Sequence, residues 1–251
     1  MLAIERRKKI IDMIHKEKHI MVTSLSERFH VSEETIRRDL EKLEKSGIVT
    51  RTYGGAVLNR QINEDLPFTT RKEMNKELKQ DIAVKANPLI KDGDTIMADP
   101  SSTVCEFLRF LNNKKNLTII TNSIKYLYEF VHTKHHFIST GGDLRFRSYS
   151  LTGSIARETV NKYNVDVAIF SCKGLSMSHG ITDSNEPESD LKTVMVKQAA
   201  KILLLVDHSK FDKVAFVKQF EFKDVDYVVT DRKPSAEWLN FFKKQGITVI
   251  Y

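Results

Sequence analysis

The chain has 251 residues, 41% apolar and 29% charged, with a net charge of +7. That is a globular composition with room for one large domain or a small one plus a medium one. The longest apolar runs, Ala199-Ala200 and Ile202 to Val206 around Lys201, are too short to span a bilayer, and MLAIERRKKIIDMI has neither an unbroken apolar core nor a small-residue cleavage site, so no membrane association and no secretory signal are expected.

Residues 1–58 hold 12 Lys/Arg and 9 Asp/Glu, and the remainder 28 and 24, so the placement of the cations matters more than their total. Ile4, Ile10, Ile11 and Ile14 recur at helical spacing on a basic background and predict a first helix ending near Lys18. Thr23 is the expected N-cap of a short second helix whose apolar face is Leu25 and Phe29, with His30-Val31 as the turn. Ser32 caps a third helix that has Glu33 and Glu34 in its first turn, where acids suit the helix dipole. Ile36, Leu40 and Leu43 at i, i+4 and i+7 turn one face inward, which forces Thr35, Arg37 and Arg38 off the buried stripe. Gly47 is the expected C-cap. Ile48 to Tyr53 reads as a strand, Gly54-Gly55 as a tight turn and Ala56 to Leu58 as the return strand, with Arg51 and Tyr53 on the first arm. Three helices and a hairpin in this order predict a winged helix-turn-helix whose third helix enters a DNA major groove. Thr35, Arg37 and Arg38 would then face bases and phosphates, with Arg51 and Tyr53 on the backbone. An ordinary amphipathic helix also explains part of the pattern, with Arg37 paired to Glu33 or Glu41 one turn away.

Leu25 through Phe29, Val31-Ser32, Thr35 through Leu40, Leu43-Glu44, Gly47, Arg51 and Gly54-Gly55-Ala56 together resemble the signature of DeoR-type bacterial regulators. Two positions depart from it: Ser26 stands where alanine is common, and Tyr53 where histidine often precedes the glycines.

Asn59 to Thr70 lacks periodicity and contains Pro67, so residues 59–70 are the expected linker between a domain at 1–58 and another at 71–251. From Arg71 a polar helix is expected to run toward Ile90, broken or kinked at Asn87-Pro88. Strand-like runs then come at 95–98, 117–120, 137–139, 165–170, 202–206, 227–229 and 248–250, alternating with helical patterns near 102–112, 123–132, 154–163, 188–200 and 235–245. The alternation predicts an α/β domain with a mainly parallel sheet, in which ligands sit at the carboxyl ends of the strands.

The residues just past each strand are therefore the place to seek a site. Asp99-Pro100-Ser101-Ser102-Thr103 comes after the first and opens a helix, a suitable place for phosphate. Thr121-Asn122-Ser123, Gly141-Gly142 with Arg145 and Arg147 behind, Cys172-Lys173-Gly174, and Asp207-His208-Ser209-Lys210-Phe211 come after the next four. Each has a plainer reading as a cap, a turn or a solvated lysine. Five polar strand ends, three with a cation after them, point instead to a small anionic ligand bearing hydroxyl groups.

This half is similar to the DeoR-type sensor domain, which shares its fold with ribose-5-phosphate isomerase and glucosamine-6-phosphate deaminase. The resemblance implies a phosphorylated sugar as ligand, with Asp99 and Ser101 to Thr103 on the phosphate-binding motif. It also places Lys79, Thr121-Asn122, Gly141-Gly142, Glu188 with Lys192, and Asp207 with Lys210 on the family pattern. Pro100 and Ser171-Cys172-Lys173 depart from it. The chain is thus expected to be a cytoplasmic, homo-oligomeric regulator, dimer or tetramer, binding a double-stranded DNA operator and a phosphorylated sugar, with no enzymatic activity and no cofactor.

The alternative is a sugar-phosphate isomerase or deaminase fused to a DNA-binding domain, for which Asp183, Glu186 and Glu188 are the nearby carboxylates. A third reading makes the winged helix a protein-interaction module, against which Arg37, Arg38 and Arg51 stand. Cys105 and Cys172 fit no zinc or redox spacing and are expected as reduced, structural thiols. His132, His135 and His136 lack an oxygen or sulfur partner in register and read as a polar loop rather than a metal site.

Overall fold

The computed structural model describes residues 3–17, 19–45, 49–58 and 65–251. They divide into two compact units, Met1–Thr70 and Arg71–Tyr251.

The first unit contains α1 (Ala3–Glu17), β1 (His19–Met21), α2 (Val22–Phe29), α3 (Glu33–Lys45), β2 (Val49–Thr52) and β3 (Gly55–Leu58). Ile10, Ile14, Ile20, Val22, Leu25, Ile36, Leu40, Leu43, Val49 and Ala56 close one core, so the inward face read for the third helix is the observed one. Lys18, Gly47, Ile48 and the side chain of Ile4, also expected here, lie outside the described residues.

Two expectations need correction. Thr23 does not cap α2: the helix begins at Val22, Met21 occupies the N-cap position, and no side chain bonds there. Instead Val22 N donates to Gly54 O at 2.9 Å, so the wing supplies the acceptor that a capping side chain would provide. That is possible because β1, unforeseen in the sequence, pairs antiparallel with β3, placing Ile20 opposite Ala56. The hairpin turn also lies one residue earlier than expected. Thr52 pairs with Gly55, leaving Tyr53-Gly54 as the loop, and Gly54 takes the positive φ of 86° that the turn needs. Gly55 is already in the strand, where a Cβ would overlap the Ile20 carbonyl oxygen.

α4 (Phe68–Glu73) runs across the division between the units and is followed by α5 (Lys76–Ala86), in place of one helix from Arg71. Asn75 adopts a left-handed φ of 52° and breaks the run, and Phe68, within the expected linker, is already helical and buried. Residues 59–64 of that linker lie outside the described residues.

Then come β4 (Thr95–Ala98), α6 (Ser102–Arg109), β5 (Thr118–Thr121), α7 (Ile124–Glu129) and β6 (His136–Ser139). A short hairpin, β7 (Asp143–Arg145) and β8 (Ser150–Thr152), leads to α8 (Gly153–Val160) and β9 (Val165–Phe170). After these lie β10 (Gly174–Ser176), β11 (Gly180–Asp183), α9 (Glu186–Lys197), β12 (Ala199–Leu205) and β13 (Val217–Lys218). The unit ends with β14 (Tyr227–Val229), α10 (Ala236–Lys244) and β15 (Thr248–Ile250).

Seven strands form one sheet in the order β15-β14-β12-β9-β4-β5-β6, with every pairing parallel. All seven expected strands are in it. β12 starts three residues earlier than read, because Ala199 pairs with Val165, and this ends α9 at Lys197 rather than at 200. The hairpin β7–β8 and the small antiparallel sheet β10-β11-β13 were not anticipated. From β4 the chain builds outward through β5 and β6, then returns to the other side of β4 with β9. The carboxyl ends of β4 and β9 are therefore the topological switch point, where a crevice opens in sheets of this kind.

Candidate nucleic-acid interface and ligand site

In α3, Ser32 Oγ accepts from Thr35 N at 3.3 Å and shares a 2.9 Å hydrogen bond with Thr35 Oγ1, so the first turn is held as the sequence suggests. Arg37 and Arg38 point outward, and each pairs one turn back, Arg37 with Glu33 at 2.9 Å and Arg38 with Glu34 at 3.2 Å. Both pairs are exposed, so they cost little to exchange for another anion. Arg51, on β2, lies 2.6 Å from Glu44 of α3 and also donates its backbone N–H to that carboxylate. The backbone N–H first and the guanidinium second hold the Glu44 carboxyl below its ordinary value. Tyr53 stands fully exposed at the tip of the wing, not along its arm. The third helix and the wing thus both display cations, each beside a carboxylate that keeps it extended.

In the second unit, three polar clusters gather at the carboxyl ends of the strands. At the switch point Asp99 is fully buried: Oδ1 accepts from Ser101 N at 3.1 Å, and Oδ2 from Ser171 N at 3.2 Å and Lys192 Nζ at 2.8 Å. Lys192 reaches there from α9 and also binds Asp183 at 2.9 Å and the Ser171 carbonyl at 3.1 Å. Burial opposes charge on Asp183, but Lys192 overrides it and its carboxyl is held below the usual range. Lys192 loses to burial and gains more from Asp183 and Asp99, so its ammonium is firmly held. Asp99, expected as a ligand contact, is consumed in tying the loops after β4 and β9 together. Thr121 is likewise enclosed, donating to Ala98 O at 2.7 Å and accepting from Ser123 N at 3.1 Å.

The second cluster centres on Glu188, in the first turn of α9. Its Oε1 accepts from Ser150 at 2.6 Å, from Arg145 at 3.1 Å, and from Ser148. Asn122 meets β8 next to Ser150: Nδ2 donates to Leu151 O at 3.0 Å, while Oδ1 is buried without a partner among the described residues. A buried acceptor in that state calls for a donor from outside the chain. Gly141 and Gly142 carry φ of 65° and 111°, and a Cβ on Gly142 would overlap the Thr152 carbonyl oxygen, so both glycines are needed to bring this turn against β8.

The third cluster is cationic. Lys79 of α5 is buried and donates to the carbonyls of Arg71 and, at 2.5 Å, Met74. Burial first, and then the nearby Lys210, lower its pKa to about 8. Lys210 sits in the short helical turn 208–210 after β12, which Phe211 anchors by packing edge-on to Trp238 at 5.1 Å. Asp207 caps that turn through Ser209 N at 2.9 Å, and its carboxyl is depressed because Lys210 and Ser209 outweigh burial. Ser101 caps α6 by accepting from Val104 N at 3.2 Å, leaving the amides of Ser102 and Thr103 in the first turn, where a helix has no internal acceptor. Lys173 is fixed through its backbone, which donates to Thr182 O at 3.0 Å.

Residues 6–62 match the DeoR-like helix-turn-helix domain, and residues 74–232 match the DeoR C terminal sensor domain. This chain belongs to the DeoR family of transcriptional regulators. The regulator is 38% identical to the HTH-type transcriptional regulator YulB of Bacillus subtilis, over 92% of this chain and 90% of that one. It is 32% identical to the HTH-type transcriptional repressor GlcR of the same organism, over 98% and 95%. Among solved structures, ribose 5-phosphate isomerase A of Methanocaldococcus jannaschii overlaps 55% of each chain at 19% identity, with a TM-score of 0.41.

Several members of these clusters escaped the sequence reading: Ser148 and Ser150, the bonding roles of Ser171, Asp183 and Lys192, and Arg71, whose charge is felt by Lys79, Asp183 and Tyr126. Their partners lie far away in sequence, and the strands carrying the serines are too short to show alternation. Cys172 is buried and burial pushes its thiol well up, as it pushes Cys105 to about 12, so neither regulator thiol is an activated nucleophile. Among the described residues no group of three His, Cys, Asp or Glu side chains is placed to hold a metal, and no helix is long and apolar enough to cross a membrane.

Proposed function

We propose that this regulator is a cytoplasmic repressor of a sugar-utilisation operon, acting as a homo-oligomer whose operator affinity is controlled by a phosphorylated sugar. Residues 1–58 would bind duplex DNA and residues 71–251 would sense the ligand, joined through 59–70. Two winged helices on paired half-sites, one helical turn or a multiple apart, suit such an oligomer. Arg37, Arg38 and Thr35 would face the major groove, and Arg51 and Tyr53 the backbone.

One arrangement carries the ligand reading: cations and acceptors both lie past the carboxyl ends of strands of one parallel sheet. Lys79, Lys210 and the first-turn amides at Ser102 and Thr103 suit a phosphate. Glu188 and the unpartnered Asn122 Oδ1 suit the hydroxyl groups of a sugar. Gly141-Gly142 and Arg145 shape that end, with Lys173 at its margin. Asp99 and Thr121 contribute by fixing the loops. The family and its relatives support the regulatory half: the matched domain is a sensor, and GlcR is a repressor.

The enzyme reading is not favoured. A general base works best with a pKa near the operating pH, whereas Lys192 holds Asp183 the other way. Thermal-shift screening of the full chain against phosphorylated sugars should yield one that stabilises it by mass action. That sugar should change operator affinity about 5- to 150-fold, the usual span of allosteric coupling. Lys210→Ala should keep operator binding and lose the response, and an unaltered response in that variant would move the site elsewhere.

A further inference from the structure

Lys79 is bonded to the segment leading out of the sensor unit and feels the charges at the strand termini. Its ammonium takes the carbonyls of Arg71 and Met74, at the end of α4 and in the turn after it. α4 has six residues, and the last carbonyls of any helix lack internal donors, so a buried ammonium is a strong cap for it. The helix is the first described element after residues 59–64, on the covalent path to the winged helix. Lys79 also feels the charges of Lys210 and Asp207, after β12, and more weakly those of Arg71 of α4 and Glu106 of α6.

We propose that Lys79 is the positioning residue through which the ligand reaches the linker, because one ammonium is shared between the end of α4 and an anion at the strand termini. This rests on the anion site proposed above. Two of the three N–H donors of Lys79 serve carbonyls. An anion beside Lys210 is a stronger acceptor than a neutral carbonyl and draws the ammonium toward itself. The Arg71 and Met74 carbonyls then lose their donor, and α4 opens from its C-terminal end. The lowered pKa of Lys79, about 8, fits this role, since the cost of keeping the group charged and buried is what a bound anion relieves.

The test uses the full chain with inorganic phosphate as probe, compared with chloride at equal ionic strength. Hydrogen exchange across residues 68–75 should speed up several-fold with phosphate in the wild type. Lys79→Gln should show the fast exchange without phosphate and gain nothing from adding it, and its thermal stabilisation by phosphate should be smaller than the wild type's, since one cation of the site is gone while Lys210 and the α6 amides remain. If Lys79→Gln responds with the same increase as the wild type, the relay is overturned and the anion site stands. If phosphate neither stabilises the wild type nor alters its exchange, the anion site and the relay fall together. A second measurement needs no folded glutamine variant. The ε-methylene resonance of Lys79, assigned by its loss in Lys79→Arg, should titrate near pH 8 without phosphate and at higher pH with it. A midpoint that phosphate leaves in place overturns the proposal.

Discussion

Asp39 of α3 lies 2.6 Å from Arg6 Nε and 3.2 Å from Arg7 Nη1, with 3% of its surface exposed. Removing one partner of a buried pair strands the other charge, so Asp39→Ala should cost about 3–5 kcal/mol of the first unit's stability, read from its urea midpoint. A loss under ~1 kcal/mol would show that water reaches those guanidinium groups. The exposed pairs behave differently. Arg38 and Glu34 hold each other weakly, so Arg38→Ala should leave the melting temperature unchanged and weaken operator binding by about 1–3 kcal/mol. Glu34→Gln should leave operator binding equal or tighter, since it removes the competing anion. Fluorescence anisotropy on one operator fragment measures both, and equal affinities for wild type and Arg38→Ala would rule out the groove assignment. These outward arginines were legible in the sequence because three apolar residues at helical spacing fix every other direction on the helix. Arg6 and Arg7 were not, since nothing in the spacing of α1 shows that a carboxylate 32 or 33 residues away lies between them.

The wing shows how neighbouring glycines do different work within one element. Gly54 supplies a backbone angle, while Gly55 supplies space against β1. Gly54→Ala should cost about 1–2 kcal/mol, the strain of a side chain in the left-handed region. Gly55→Ala cannot be relieved by rotating a side chain, because the clash is with the Ile20 carbonyl oxygen. It should separate β1 from β3, release the Val22 amide from Gly54, and cost more than Gly54→Ala in thermal melting. A Gly55→Ala protein as stable as the wild type would mean that β1 is dispensable. The same three-residue strand marks where the sequence stops being readable. The seven strands of the parallel sheet announce themselves as apolar runs between helical patterns. β1, β7, β8, β10 and β13 have two or three residues each, and exist because a distant partner offers hydrogen bonds. The helix break at Asn75 was hidden for a related reason: the lysine that caps α4 comes four residues later and looks like a solvated residue of an amphipathic helix.

Across the whole sensor unit, charge burial sets a pH profile that separates ligand effects from general stability. Asp183 and Asp207 have depressed carboxyls, so their contribution is present above the unfolded value of about 4 and is lost as pH falls through the folded one. Stability should therefore decline on the acid side, and ligand binding is not needed for that. Lys79 works in the opposite limb. Its folded pKa of about 8 lies below that of an unfolded lysine, so between the two values the unfolded chain holds a proton that the folded chain does not. Stability from this group then rises with pH across that window, and at neutral pH the folded state bears a burial cost on the order of 3 kcal/mol. Lys210 adds to the cost, Asp207 and Glu106 reduce it, and Arg71 adds a little. A phosphate among these groups offsets the cost only while Lys79 is protonated, so binding takes up protons near pH 8. The rise in melting temperature given by a fixed phosphate concentration should be largest near pH 8, above the second ionisation of phosphate and with Lys79 still partly protonated, and shrink toward pH 9.5. In Lys79→Arg, which stays charged throughout, the same rise should be nearly flat over that range. A wild-type profile as flat as that of the arginine variant would separate Lys79 from the anion and leave Lys210 and the α6 amides to hold the ligand without it.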